Sequence, residues 1–555
     1  MKHKKLTAFF LALLLFLCTG CKNEKADIDA SSSNASDLSI KASEQINMLY
    51  SSKDNFNPFT CKTNQNRVLT QLMYDSLIVL DNNYEPIYNI AESAEYKDKQ
   101  LTVKLRTVRF SNGATVTAQD IVFSYETAKK FSSSYATSLK YAASATALDN
   151  HTVTFKLFRD DPFFINLLTF PIIKYGSDTL KDSDNRELPP IGSGRYVLDI
   201  DKKQLFRNTF YTDGNFSIQT INLVDAPDSE SVNQTVSTGA IDYFYTDLSD
   251  NTIPKMNGTS VDVPQSRLVF LGINPESPRL SNTYFRQAVS SALDRTEICS
   301  SAYFSKASPA KGPFPSNWKA SENYQTIEVL PNSATFENNI SEAGFNKKDE
   351  DGYYLQKNGN PISLTLLVSS ENSCRYNAAE QIKKNLEDVG IKVNLKAVNE
   401  AKFKSLLSTK SYDMYLSEIR FENNMDLGGL VNLNSASALT TAPSTSSIAS
   451  FNASYSSATS RQNTGSASSA VASSTSSPAS NSTNEAPVIT LTTKEAYNGY
   501  YSGIYTVQDI ITAFTAELPV IPVCFRSGLV IYSDKLGTGT TPIISDLFYK
   551  IEKIK

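Results

Sequence analysis

The sequence predicts a mixed α/β protein of more than one domain, on three observations. The chain has 555 residues, and a single hydrophobic core stops growing at roughly 250–300. Segments in which apolar residues alternate stand beside segments with apolar residues three and four apart, the periods of strand and helix. Residues 364–395 combine both as a strand–helix–strand unit, whose crossover makes its two strands parallel. A composition of 40% apolar and 20% charged residues is that of a globular chain.

At the N-terminus, Met1-Lys2-His3-Lys4-Lys5 precedes an apolar run from Leu6 to Cys18, then Thr19-Gly20-Cys21. A basic head, a short apolar segment and small residues describe an export signal over 1–20. The run is shorter than the about 20 residues of a membrane-spanning helix. Cys21 after Thr19-Gly20 resembles a bacterial lipobox, although Cys18 replaces the usual leucine. That resemblance implies diacylglycerol on Cys21, which would hold the protein to a membrane without spanning it. Residues 21–40 are polar and read as a flexible tether.

The folded pattern begins near residue 41. Val68, Leu69, Leu72 and Met73 have helical spacing, and Leu77–Leu80 reads as a strand. Leu101–Leu105 alternates as a half-buried strand, and Ser111-Asn112-Gly113 makes a turn. Thr117 with Asp120 predicts a capping box opening a helix through Lys130. In the crossover unit, Leu364–Val368 is a strand. Ala379, Ile382, Leu386 and Val389 face one side of a helix ended by Gly390, and Ile391, Val393 and Leu395 alternate as the second strand. From 432 to 487 about three-quarters of the residues are Ser, Thr, Ala or Asn, and Arg461 and Glu485 are the only charges. Such a stretch buries too little apolar surface to offset its ordering entropy and reads as a disordered insertion. Thr506 and Asp509 open another helix, and 517–532 reads as two strands broken at Ser527-Gly528.

Charge and residue usage exclude several functions. The net charge is −4, and −7 once Lys2, Lys4 and Lys5 leave with the signal. That balance argues against nucleic-acid binding, which shows a basic stripe. His3 and His151 are the only histidines, so a multi-histidine metal site or a Ser–His pair is not expected. Gly192-Ser193-Gly194 is not a nucleophile elbow. No enzyme activity, metal or cofactor is therefore expected. Cys61, Cys299, Cys374 and Cys524 are widely spaced without a CxxC pair. Buried free thiols are favoured over disulfides, which an exported chain could also form.

Several segments then resemble one family. Asn57-Pro58, Leu72–Asp81 with Glu85-Pro86, and Ile90-Ala91-Glu92-Ser93 are similar to the opening of the bacterial extracellular solute-binding proteins of family 5, although Ala94 replaces a usual tryptophan. Phe110–Gly113, Val116–Ser124, Pro190–Tyr196, Gly239–Asp242, Phe285–Val289 with Asp294-Arg295, and Leu518–Pro522 follow in the family's order. The family comprises binders of peptides, nickel and other solutes that serve ABC transporters. The resemblance implies a two-lobe, type II periplasmic-binding-protein-like fold, with a hinge and an extra subdomain in the first lobe. By analogy the first lobe is 41–268 with a C-terminal return at 505–555, and the second is 269–504.

Peptide binders of this family place an acid after a strand, where it meets the ligand's α-amine. Tyr412–Asn423 aligns with that stretch without gaps and puts Glu422 at the acid, with Ile419 where the family has tryptophan. Arg420, Phe421 and Asn423 flank it as further ligand-contact candidates. Phe270, with Val269 and Asn274, lies near the first crossover, where rim contacts are expected. The expected partners are a peptide, ABC permease subunits and a membrane through Cys21, with no nucleic acid, and the protein is expected to be a monomer. The competing readings are a non-peptide solute on the same fold, and a surface signalling or adhesive lipoprotein that has lost transport.

Overall fold

An 11-stranded mixed sheet carries the fold. The computed structural model describes residues 42–131, 134–212, 214–248, 253–433, 491–537 and 539–554. The expected export signal, the tether with Cys21, and the insertion from 434 onward lie outside the described residues. Across the sheet the strands run Lys392–Val398, Ser363–Ser369, Met414–Arg420, Thr259–Ile273, Val520–Tyr532, Tyr243–Thr246, Gln45–Tyr50, Thr220–Asp225, Gln204–Arg207 and Tyr196–Asp199, and Ala307–Pro309 pairs with Val520–Tyr532 off this path.

The sheet has two halves because two of its strands are long and serve both. Residues 259–264 of the first pair with 527–532 of the second, and residues 268–272 pair with 520–525. Between these stretches the register slips, a β-bulge at 265–267. A bulge leaves residues unpaired and bends the strand, so the two crossings form a kinked two-stranded ribbon.

Each half is built as its sequence dictates. In the second, Ser363–Ser369 and Lys392–Val398 pair in parallel, connected by the helix Ser373–Asp388. Gly390 ends that connection at φ 94°, a conformation that favours glycine. Leu364, Leu366 and Ile382 are fully buried in one apolar cluster. In the first half, a separate antiparallel sheet of four strands (Ala91–Lys97, Gln100–Leu105, Thr152–Leu157, Ala142–Ala147) packs under the helix Ala118–Lys130. This is the expected extra subdomain. The Asp120 carboxylate accepts from the N–H of Thr117 at 2.8 Å and from its hydroxyl at 2.7 Å, which fixes the helix start.

The C-terminal segment completes the first half. Phe548 and Ile551 are fully buried in its core, and Arg195 pairs with Asp546 at 2.5 Å. The helix Val507–Glu517 and Val520 pack with Leu268, Phe270 and Tyr415, where the strand Val520–Tyr532 begins. One feature differs from the sequence reading. That strand is continuous through Ser527-Gly528. Gly528 does not break it, because the glycine makes room for Gln265 and Tyr245, whose atoms lie 2.8–2.9 Å from where a Cβ would stand. Cys61, Cys299, Cys374 and Cys524 are all buried.

Candidate functional site

The strand Met414–Arg420 ends beside the bulge. Phe421 leaves the sheet there, its N–H donating to the Ser266 carbonyl at 2.8 Å while the Ser266 hydroxyl donates to the Phe421 carbonyl at 2.7 Å. These two bonds aim the next residues, 422–426, at the first half.

Four side chains of that loop find partners there. The Ser138 hydroxyl donates to the Glu422 carboxylate. The Asn423 amide donates to the Thr169 hydroxyl at 3.3 Å. The Asn424 amide donates to Asp161 at 2.7 Å. Asp426 pairs with Arg159 at 2.7 Å. The Arg159 guanidinium also lies between the rings of Tyr141 and Tyr501, 3.3 and 3.5 Å from their centroids. The Tyr497 hydroxyl and the Gly428 N–H both donate to the other oxygen of Asp426, at 2.8 and 2.7 Å.

Electrostatics separates these acids. Burial pushes the Glu422 carboxyl above its usual range, and Ser138, Arg420 and Lys140 only partly offset it. Burial likewise raises Asp161 to about 6, although Asn424 and Arg159 draw it down. Asp426 is also penalised by burial, yet Arg159 and its hydrogen bonds hold it below the ordinary value. A carboxylate poorly matched by cations in an enclosed seam favours a ligand that brings positive charge.

Behind the loop, Trp318, Tyr497, Tyr500 and Tyr501 line a small pocket with Asn424, with room for about one water. Phe163 of the first half packs edge-on against Trp318, centroids 5.1 Å apart.

At the ribbon, Glu418 accepts from Arg526 at 3.1 Å and from Arg267 at 3.5 Å. Arg267 also pairs with Asp247 at 3.3 Å, and Arg526 donates to the Leu248 carbonyl. Three guanidiniums, Arg526, Arg267 and Arg375, outweigh the burial of Glu418 and lower its carboxyl.

Of the residues singled out from sequence, Glu422 and Asn423 lie in the seam. Arg420 is exposed at the strand end, close enough for its charge to act on Glu422. Phe421 and Phe270 are core positions. Each is 2% exposed, the first against Phe525 and the second against Tyr415. Val269 is fully buried. Asn274 ties down the far end of its strand, donating to the Tyr412 carbonyl at 2.8 Å. Sequence reasoning missed Ser138, Arg159, Asp161 and Asp426. The Arg159-Asp160-Asp161 triplet after Phe158, and the tyrosines at 497, 500 and 501, were the available signals.

The family of bacterial extracellular solute-binding proteins, family 5 Middle, matches residues 85–439. The oligopeptide-binding protein AppA of Bacillus subtilis is 25% identical over 446 residues, covering 74% of this chain and 80% of AppA. A putative ABC transporter peptide-binding protein of Brucella ovis is 25% identical over 373 residues, 64% of this chain and 68% of that protein. Among solved structures, the ABC transporter substrate-binding protein CtaP of Listeria monocytogenes aligns with TM-score 0.62 at 19% identity, covering 93% of this chain and 99% of CtaP. AppA of Bacillus subtilis in complex with a nonapeptide aligns with TM-score 0.52 at 19% identity, covering 92% of this chain and 99% of AppA. These structures share the two-lobe fold.

Proposed function

The chain belongs to the bacterial extracellular solute-binding proteins of family 5, and from that premise we propose that it captures peptides by lobe closure and delivers them to an ABC permease. Its relatives named for oligopeptide and peptide binding support this reading. The observation that carries it is Glu422, an acid enclosed between the lobes whose charge is under-compensated.

The α-ammonium of a peptide is the group that would complete Glu422. Charge meets charge in a seam of low dielectric, where leaving either unpaired is costly. Ser138 meets that carboxylate with one hydroxyl. Asn423, Thr169 and the loop backbone offer further donors and acceptors for a main chain, which is recognised without regard to sequence. The ribbon at 259–273 and 520–532 is the hinge of this mechanism, and ligand shifts the open–closed population by its differential affinity for the two states. Lipid on Cys21 is the proposed tether to the membrane face on which the permease opens.

Mass spectrometry of ligand released from protein purified under native conditions tests the reading. A ladder of short peptides with free N-termini is the expected result, and Glu422→Gln should empty the cleft. A single non-peptide mass would overturn the substrate while leaving the fold.

A further inference from the structure

Two buried oxygens of the seam lack a hydrogen-bond donor, and a single proton would serve both. Asp161, from the first lobe, accepts the Asn424 amide N–H on its Oδ2 at 2.7 Å. Its Oδ1 has no donor among the described residues, and neither has the Oδ1 of Asn424. Asp161 is 1% exposed and Asn424 4%. A buried acceptor without a donor is costly, and two acceptors cannot relieve each other. A proton on the Asp161 carboxyl turns one oxygen into the O–H donor that the Asn424 oxygen lacks. Acid and amide are then joined by two hydrogen bonds where the carboxylate has one.

The surroundings of Asp161 favour that proton. Burial pushes the carboxyl up to about 6, Asp426 adds to the rise, and Asn424, Arg159 and the Phe163 N–H only partly offset it. Arg159, the cation among these, is paired with Asp426. From the first lobe, the Tyr96 hydroxyl accepts the Asp161 N–H at 2.9 Å and donates to Asp160. Tyr500 and Tyr501 act on the carboxyl from the second lobe, beside Asn424 and Asp426. When the lobes part, these second-lobe groups leave, water reaches Asp161, and its ordinary titration returns. Closing and proton uptake are therefore linked.

Resting on the lobe-closure reading above, we propose that Asp161 and Asn424 form a proton-operated clasp that holds the lobes shut in mildly acidic solution. The proton comes from water and returns to it on opening. The clasp has an acid limit, because Asp426 is protonated below the ordinary carboxylate range and its pair with Arg159 then loses its charge. Ligand enters and leaves through the open form, so mild acid slows both steps, while affinity itself follows Glu422.

Amide hydrogen exchange in residues 422–428 of the ligand-free, full-length protein, corrected at each pH for the intrinsic rate, reads the open fraction. Protection should rise about tenfold between pH 7 and about pH 5, the effect of a carboxyl that titrates at about 6 closed and at its ordinary value open. Asp161→Asn supplies the donor permanently, so its protection should be high at pH 7 and flat over this range. Asn424→Leu removes the acceptor and should lower protection at the acid end. Glu422→Gln should keep a rise of the same sign. Protection that is constant or falls with acid in the wild type, or an undiminished response in Asp161→Asn, overturns the inference. Exchange of this loop only through global unfolding, at every pH, overturns lobe closure and the inference with it. The measurement uses no peptide, so its outcome is independent of whether the ligand is one.

Discussion

Arg159 and Asp426, 267 residues apart in sequence, form a 2.7 Å ion pair that fastens one lobe to the other. Tyr141 and Tyr501 flank the guanidinium, and neither partner of the pair is more than 16% exposed. Removing one partner of such a pair leaves an uncompensated buried charge, at a cost of roughly 2–5 kcal/mol. Arg159→Ala should therefore shift the ligand-free population toward the open form. Small-angle scattering should record a larger radius of gyration without ligand, and a profile identical to the wild type would refute the latch.

Glu422 couples binding to stability with opposite signs. Its carboxyl is raised in the folded state by burial, so the folded protein holds a proton there that the unfolded chain releases. Stability from this group is therefore lost as pH rises from the ordinary carboxylate value through the raised one. Glu422→Gln removes that penalty and should raise the ligand-free melting temperature at pH 7 while weakening peptide affinity. A variant that loses both stability and affinity would contradict this assignment.

Affinity itself should fall as the solution is acidified. A ligand ammonium needs the ionised carboxylate, and a raised carboxyl takes up its proton earlier on the way down. Calorimetric titration of one peptide at falling pH should show weakening that begins above the ordinary carboxylate range. In Glu422→Gln the residual binding should lack this dependence.

Glu418 behaves in the reverse sense. Its carboxyl is lowered by Arg526, Arg267 and Arg375 despite burial, so its contribution is present above the unfolded value and disappears as pH falls through the lowered one. Glu418→Gln leaves three guanidiniums around a neutral amide at the ribbon. A loss of roughly 3–5 kcal/mol is expected in denaturant unfolding at pH 7, with a smaller loss in acid.

Gly272 sits opposite Tyr415 in the sheet, and a Cβ there would stand 2.0 Å from the tyrosine ring. The ring is 4% exposed and packs edge-on against Phe270, Phe403 and Tyr412. Gly272→Ala should therefore cost about 1–3 kcal/mol through overpacking. Unchanged thermal unfolding would show that Tyr415 has room to move.

Local structure was legible in the sequence where its causes are local. The crossover unit at 363–398 and the caps at Thr117 and Thr506 depend on residues within a few positions of each other. Glu422 was singled out through its alignment with a family pattern. Its partners were not, because Ser138 lies 284 residues away and no periodicity links the two. Phe421 and Phe270 looked like ligand contacts because they neighbour the right positions. Only the tertiary packing shows that both belong to an apolar core. Gly528 was read as a break because a glycine in a strand and a glycine in a turn look alike until the opposing side chain is known.

The closing of the first core by residues 543–554 has a consequence for biosynthesis. The Leu80 N–H donates to Ser545, Tyr243 lies 4.6 Å from Phe548 ring to ring, and Ser217 donates to the Ile554 carbonyl. Domains ordinarily fold as units while the ribosome is still delivering the chain, N-terminal first. This chain cannot follow that order, since the half that emerges first waits for its last dozen residues before its core is sealed. The core of the first lobe therefore stays open until residues 543–554 have been made, long after its other strands.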